Sequence, residues 1–375
     1  MQKTAQMYSE EHLYSIALRE SSLIGDINFH KLVRTFGSAK AAWENARKEY
    51  KKLDGFGKKI ISDIENPGHL KFAEKELKFC ETHQIKINLR HLNDLPNLLN
   101  ECDDAPAILY QKGTFDHSIP KVSMVGTRNI SAYGKQFIHD FFEEAKSCSF
   151  VSVSGLALGI DKEVHEQSLH HRIATAGVLA HGFHTLYPSK NKRLAEKILE
   201  EGGALLTEFN SSRKPDRENF IQRNRIVAGI SPATVVVETA FGGGSVSTAT
   251  YANGYNREVY ALPGKITDKQ SQGCNHLIFQ HKASAISTVK DLINELGLNR
   301  PKTKTEELFP YSEMTVQFTG NQKAVFDAIF ENPHITLDDL ADKINLSSHK
   351  ILPVILELEL LGKVKSFSGR QFLAI

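Results

Sequence analysis

What the chain lacks narrows its chemistry first. Its 375 residues carry a formal net charge of only +2, so any nucleic-acid site must come from local clustering of charge, not from bulk charge. The four cysteines, Cys80, Cys102, Cys148 and Cys274, lie far apart and make no Cys-x-x-Cys pair. That spacing suggests neither a zinc site nor a disulfide framework and fits a reducing compartment. No apolar run approaches about 18 residues and the start, residues 1–12, is polar. We therefore expect no signal peptide, no membrane span and a cytoplasmic location. No Gly-x-x-x-x-Gly-Lys-[Ser/Thr] loop is present, so no ATP requirement is expected. Asp161 and His165 stand one helical turn apart, but no third ligand follows at useful spacing. A helix cap by Asp161 and a hydrogen-bonded His165 account for them better. His170, His171, His181 and His184 are equally unsupported as metal ligands. No metal and no cofactor is expected.

What is present centres on residues 207–264. Arg217, Arg223, Asn224 and Arg225 surround one aromatic, Phe220. An apolar run, 233–237, precedes the glycine turn Gly242-Gly243-Gly244-Ser245, and Thr248 lies in the helix-forming stretch behind it. Apolar run, glycine turn and helix in that order read as a strand–turn–helix unit. Such a turn aims backbone N–H groups outward at a helix N-terminus, where they bind phosphate. With guanidinium groups and a ring that can stack, the chemistry suits a polyanion that carries bases. Phe220 by composition alone is as well explained as a core residue. Arg223 and Arg225 cannot face the same way on a helix; one is expected at a ligand and the other as a brace to Glu208 or Glu238.

In chain order, residues 1–68 read as a small helical domain. Its segment 53–60 has the form of a helix–hairpin–helix, in which glycines let backbone N–H groups approach a phosphate; the plainer reading is a turn between helices. Pro67-Gly68 is expected to end it. Residues 69–120 read as a connector with a helix over 71–82 and a strand near 86–89. Residues 121–297 alternate strands (122–125, 150–154, 173–180, 204–207, 233–237, 259–261) with helices. This pattern predicts an α/β fold with a doubly wound, Rossmann-like parallel sheet. Gly126-Thr127-Arg128, Ser154-Gly155 and Gly242–Ser245 all follow strands and should line one sheet edge, where ligands of such folds collect. Residues 298–318 read as a linker, and 319–375 as three helices and a hairpin, the pattern of a winged helix.

Several of these motifs, spaced along the central domain, resemble the bacterial DNA-processing protein DprA (Smf) family. They are Val125-Gly126-Thr127-Arg128 with Tyr133-Gly134; Ser154-Gly155-Leu156-Ala157-Leu158-Gly159-Ile160-Asp161; Tyr187-Pro188; Arg223-Asn224-Arg225-Ile226; Pro263-Gly264; and Gly273-Cys274-Asn275. The sequence departs from the family where Thr127 replaces a serine, Leu158 an arginine and Lys282 a glycine. The resemblance implies a non-enzymatic protein that binds single-stranded DNA, stacks a base on Phe220, forms homodimers through residues near 275–284, and helps load the recombinase RecA during natural transformation.

One alternative comes from another class. Phosphoribohydrolases that resemble lysine decarboxylases carry a similar glycine turn followed by a catalytic glutamate. Here the first acid after the turn is Glu258, beyond the helix, so general acid–base hydrolysis lacks its carboxylate. A winged-helix transcription factor would need a basic recognition helix, and residues 347–361 offer only His349 and Lys350 against Glu357 and Glu359.

Overall fold

A computed structural model describes residues 8–46, 48–49, 56–64, 66–116, 118–298, 318, 320–332, 335–361, 363–367 and 371–374. The apolar runs become strands β1 (Ile85–Leu89), β2 (Ile108–Gly113), β3 (Lys121–Val125), β4 (Val151–Ser154), β5 (Ala174–Val178), β6 (Ala204–Thr207), β7 (Ala233–Val236), β8 (Glu258–Ala261) and β9 (Ser284–Ala285). They form one sheet in the order β1-β2-β6-β5-β4-β3-β7-β8-β9. From β6 to β9 every pairing is parallel, while β2 joins β6, and β1 joins β2, antiparallel. The central sheet is thus mostly parallel, as expected, and the segment read as a connector extends it by two strands.

Alternation along each strand feeds two apolar layers. On β3, Val122 and Met124 pack with α7 (Ala132–Glu144) and α8 (Ile160–His170) through Phe137, Phe141 and Val164. Val125, on the opposite face, joins α10 (Arg217–Gly229) and α11 (Gly244–Gly254) through Ile226, Val227, Ala249 and Ala252. Strand order reverses at β3: β4, β5 and β6 follow on one side, β7, β8 and β9 on the other. The crevice above such a reversal is where open α/β sheets hold ligands.

Helices α1 (Glu10–Glu20), α2 (Asp26–Phe36), α3 (Ala39–Asn45), α4 (Lys58–Ile64) and α5 (Pro67–Thr82) share a core with β1 and β2 that includes Leu18, Phe29, Leu32, Ile87 and Tyr110. Pro67 does not end this region. It opens α5 at the first helical position, where a missing N–H removes no helical bond, and the Asn66 side chain caps the helix by accepting from the Gly68 N–H at 3.0 Å. Residues 53–55 of the expected helix–hairpin–helix lie outside the described residues, as does nearly all of the expected linker. Short helix α6 (Asn97–Asn100), α9 (Lys192–Glu200), α12 (Gln272–Phe279) and α13 (Val289–Glu295) belong to the same compact unit, Met1–Arg300.

The second unit, Pro301–Ile375, has its own core. It contains α14 (Asn321–Glu331), β10 (Ile335–Thr336), α15 (Leu337–Ile344), α16 (Ser348–Leu360), β11 (Val364–Phe367) and β12 (Gln371–Ala374). β12 pairs antiparallel with both β10 and β11. The turn between β11 and β12 lies outside the described residues.

Candidate nucleic-acid interface

At the reversal, three strand ends and two helices enclose a cleft of about 930 Å³. Gly126, Thr127 and Arg128 come from the end of β3 and Gly155 from the end of β4; Gly243, Gly244, Ser245 and Thr248 come from the turn and helix after β7. Arg217, Phe220, Arg223 and Asn224 reach in from α10. Of the residues predicted from sequence, Ser154 and Arg225 are the two placed outside.

Close backbone approach explains the glycines. A Cβ on Gly126 would stand 2.4 Å from Ile160 Cγ1, and one on Gly155 would stand 1.9 Å from Arg223 Nη1. The loop after β3 is pinned where the Thr127 N–H donates to the Glu238 carbonyl at 2.7 Å. The Glu238 carboxylate is buried and accepts from the Ser131 N–H at 2.9 Å and from its hydroxyl, so it fixes the start of α7. That bond occupies Glu238 away from the cleft and from Arg225.

The cleft has an aromatic wall. Phe220 is half-buried; the Tyr187 ring meets it edge-on at 5.8 Å and the Arg128 guanidinium lies 5.1 Å from its centroid. Arg128 and Arg217 are exposed. Opposite them, α11 begins with Gly243 as its N-cap, which has no side chain to satisfy the first N–H groups. Ser245 Oγ is buried there without a hydrogen-bond partner among the described residues. The Asn224 side chain donates to Ser247 Oγ at 3.0 Å and ties α10 to α11. Unfilled donors at a helix start, two exposed guanidinium groups and an aromatic wall can hold a phosphate and the base attached to it.

The arginine question resolves by burial. Arg225 bonds Glu208 and, at 3.1 Å, Asp26 of α2, and its Nη1 donates to the Asp104 carbonyl. Burial pulls its pKa down, but Glu208 and Asp26 outweigh burial and the net shift is upward. It is the brace, through Glu208. Arg223 is equally buried, yet it forms part of the cleft floor. Its Nη1 donates to the Val178 carbonyl at 2.6 Å, and its Nε has no partner among the described residues. Burial lowers its pKa, and Asp161 opposes that shift. Ser154 is turned inward, its hydroxyl donating to the Met124 carbonyl at 2.7 Å.

Asp161 does not cap α8 as expected: the N-cap is Gly159, and Asp161, one residue inside the helix, accepts instead from the Ala157 N–H of the preceding loop at 3.2 Å, while burial pushes its carboxyl pKa up against the pull of Arg223. His165 Nδ1 lies 2.7 Å from Thr175 Oγ1; burial, aided by Arg223, lowers its pKa to about 3 and keeps it neutral. No cluster of metal-ligand side chains occurs among the described residues. Nor is any helix among them long and apolar enough to cross a membrane. Tyr187 and Asp161 line the cleft without having been assigned to it from sequence. The signal for Tyr187 was an aromatic beside the proline of a quoted motif; for Asp161 it was an acid close behind Ser154-Gly155.

Comparison with known proteins gives a consistent picture. Residues 86–297 match the sequence model of a family described as DNA recombination-mediator protein A. The chain is 30% identical to Protein Smf of Synechocystis over 98% of this chain and 99% of that protein. It is 39% identical to the DNA processing protein DprA of Bacillus subtilis over 54% of this chain and 68% of that one. Among solved structures, the X-ray structure of DprA from Streptococcus pneumoniae aligns with a TM-score of 0.55 at 30% identity, covering 72% of this chain and 98% of that one. DprA from Helicobacter pylori, described for its single-stranded DNA binding mode, aligns with a TM-score of 0.51 at 26% identity, covering 57% and 95%.

Proposed function

The chain belongs to the DNA recombination-mediator protein A family, known also as DprA or Smf, and from that premise we propose that it binds single-stranded DNA in the cleft above β3. The observation that carries this reading is the seating of Arg128 over Phe220 beside glycine turns that leave donors free. Phosphates lie against the turn of α11, Thr127 and Arg217, while a base stacks in the aromatic wall. Little sequence preference is expected, because every base has a face to stack. The test is binding to single-stranded against duplex DNA at several salt concentrations. A double substitution, Arg128→Ala with Arg217→Ala, that left single-strand affinity unchanged would remove the assignment.

The cellular role that follows is protection of incoming single strands and loading of the recombinase RecA in natural transformation, in the cytoplasm. We place a homodimer contact at residues 275–284. Leu277 is core and Ile278 half-buried, whereas Phe279, Gln280, His281 and Lys282 are exposed, which supports a surface patch. Light scattering on the wild type and on a charge substitution at Ser284 decides this. We read the carboxyl-terminal unit as a winged helix that meets a protein, since α16 exposes Leu352 and Leu356 and few cations.

Our reading is that the protein is not an enzyme. Its rival, a nucleotide hydrolase, needs a mobile carboxylate in the cleft, while Asp161 is held by the Ala157 N–H and faces Arg223. Release of free base from nucleoside monophosphates, abolished by Asp161→Asn or Glu238→Gln, would favour the rival.

A further inference from the structure

The glycine turn carries an aromatic that the cleft does not use. Phe241 lies between Ala240 and Gly242, both in the cleft wall, yet its own ring is turned outward and is 69% exposed. It is not a loose side chain. The His276 ring of α12 meets it at 4.9 Å and 63°, which props the ring from one side. The ground beneath is fixed as well. The Gly273 N–H donates to the Thr239 carbonyl at 2.8 Å, and Asn275 exchanges two hydrogen bonds with Gly264, at 3.1 and 2.9 Å. The loop that follows Gly264 exposes Lys265 and Lys269, and neither makes an ion pair among the described residues. A propped, solvent-facing ring continuous with a phosphate-binding turn, with a lysine-bearing loop anchored through Gly264 and Asn275 to the helix that props it, is an arrangement on which a single strand lays successive bases.

We infer that Phe241 is a second base-stacking platform, over which single-stranded DNA leaving the cleft across the glycine turn continues toward the loop 265–270, with Lys265 and Lys269 at its phosphates. This rests on the single-strand reading of the cleft and lengthens its track. A strand occupying both platforms must be longer than one confined to the cleft, so the contribution of Phe241 depends on oligonucleotide length. Phe220 contributes at every length.

The experiment measures affinity for oligothymidylates of increasing length with the wild-type full chain, Phe241→Ala, Phe241→Tyr, Phe220→Ala and the pair Lys265→Gln with Lys269→Gln. Phe241→Ala should bind the shortest oligomers like wild type and long ones about tenfold more weakly. Phe241→Tyr should restore the long-oligomer affinity, because a tyrosine ring stacks too. The lysine pair should lower the salt slope for long oligomers by up to about 1.4, roughly 0.7 per contact. Equal weakening at all lengths, or wild-type affinity of Phe241→Ala for long oligomers, would overturn the second platform. Wild-type affinity of Phe220→Ala at every length would instead overturn the cleft reading, so the two failures are distinct. Phe241 is exposed, so its substitution leaves the core intact.

Discussion

The Arg128 guanidinium, brought from the end of β3, lies over the Phe220 ring of α10, 5.1 Å from its centroid. Arg128 lies four residues ahead of α7, toward the positive end of that helix, a poor place for a lone cation. The ring face supplies part of what an anion would, by a cation–π contact of about 0.5–1 kcal/mol when exposed. Charge and stacking surface are thereby pre-positioned together.

Those two contributions separate by salt. Arg128→Ala should weaken single-strand binding about tenfold and lower the salt slope by roughly 0.7, because one phosphate contact releases its counterions. Phe220→Ala should weaken binding by a similar factor with the salt slope unchanged, since stacking releases none. Arg128→Lys should recover the slope but not the full affinity, having lost the planar face. Fluorescence titrations across a salt series distinguish these outcomes; identical salt slopes for all four proteins would refute the phosphate role of Arg128.

The neighbouring arginine predicts the opposite phenotype. Arg225 is buried with Glu208 and Asp26 and lies outside the cleft. Arg225→Ala leaves those carboxylates buried with less counter-charge, so stability should fall by about 3–5 kcal/mol. The folded fraction should bind DNA as wild type does. Replacing both partners, Arg225→Met with Glu208→Gln, should recover much of the loss. Urea unfolding and binding below the transition are the measurements, and a normally stable Arg225→Ala would refute the brace.

Glycine at 155 is required by space. The Cβ of an alanine would fall 1.9 Å from Arg223 Nη1, and that guanidinium is held by the Val178 carbonyl and closed in by the core. Gly155→Ala should cost about 1–3 kcal/mol and also disturb the cleft floor. Gly254, near the end of α11, is a control: nothing lies within 4 Å of its would-be Cβ. Gly254→Ala should be neutral or stabilise by up to about 1 kcal/mol. Thermal midpoints of the two variants moving together would contradict the spatial argument.

Much of this site was readable because glycine turns directly follow apolar runs, so β3, β4 and β7 and the loops after them could be placed from order alone. What escaped depends on long-range partners. Arg223 and Arg225 look alike in sequence; the brace is identified by Asp26, which only the packing of α2 brings near. Ser154 sits beside a cleft glycine, but strand alternation turns its hydroxyl inward to Met124. Strand β9 has two exposed residues and no apolar run to mark it. The antiparallel pairing of β2 with β6 follows from a chain reversal that local pattern does not encode.

The final prediction concerns pH. His165 is fully enclosed behind the cleft floor, bonded through Nδ1 to Thr175, with Nε2 unpartnered and the Arg223 charge nearby. Burial first, then Arg223, lowers its pKa from 6.5 to about 3. In the unfolded chain it titrates near its ordinary value. Above pH 6.5 both states are neutral there, and the full contribution to stability is present. As pH falls below that value the unfolded chain takes up a proton that the folded chain refuses, so stability is lost, by up to about 1.4 kcal/mol per pH unit, until the folded pKa is reached. Between pH 6.5 and 5 the wild type should therefore lose up to about 2 kcal/mol through this residue. His165→Gln keeps a polar group near Thr175 but cannot titrate, and its stability should fall less over the same interval. Urea unfolding of both proteins at a series of pH values reads the difference directly. Parallel profiles for the two would show that His165 takes up its proton as readily in the folded chain as in the unfolded one and would refute its neutral, structural role.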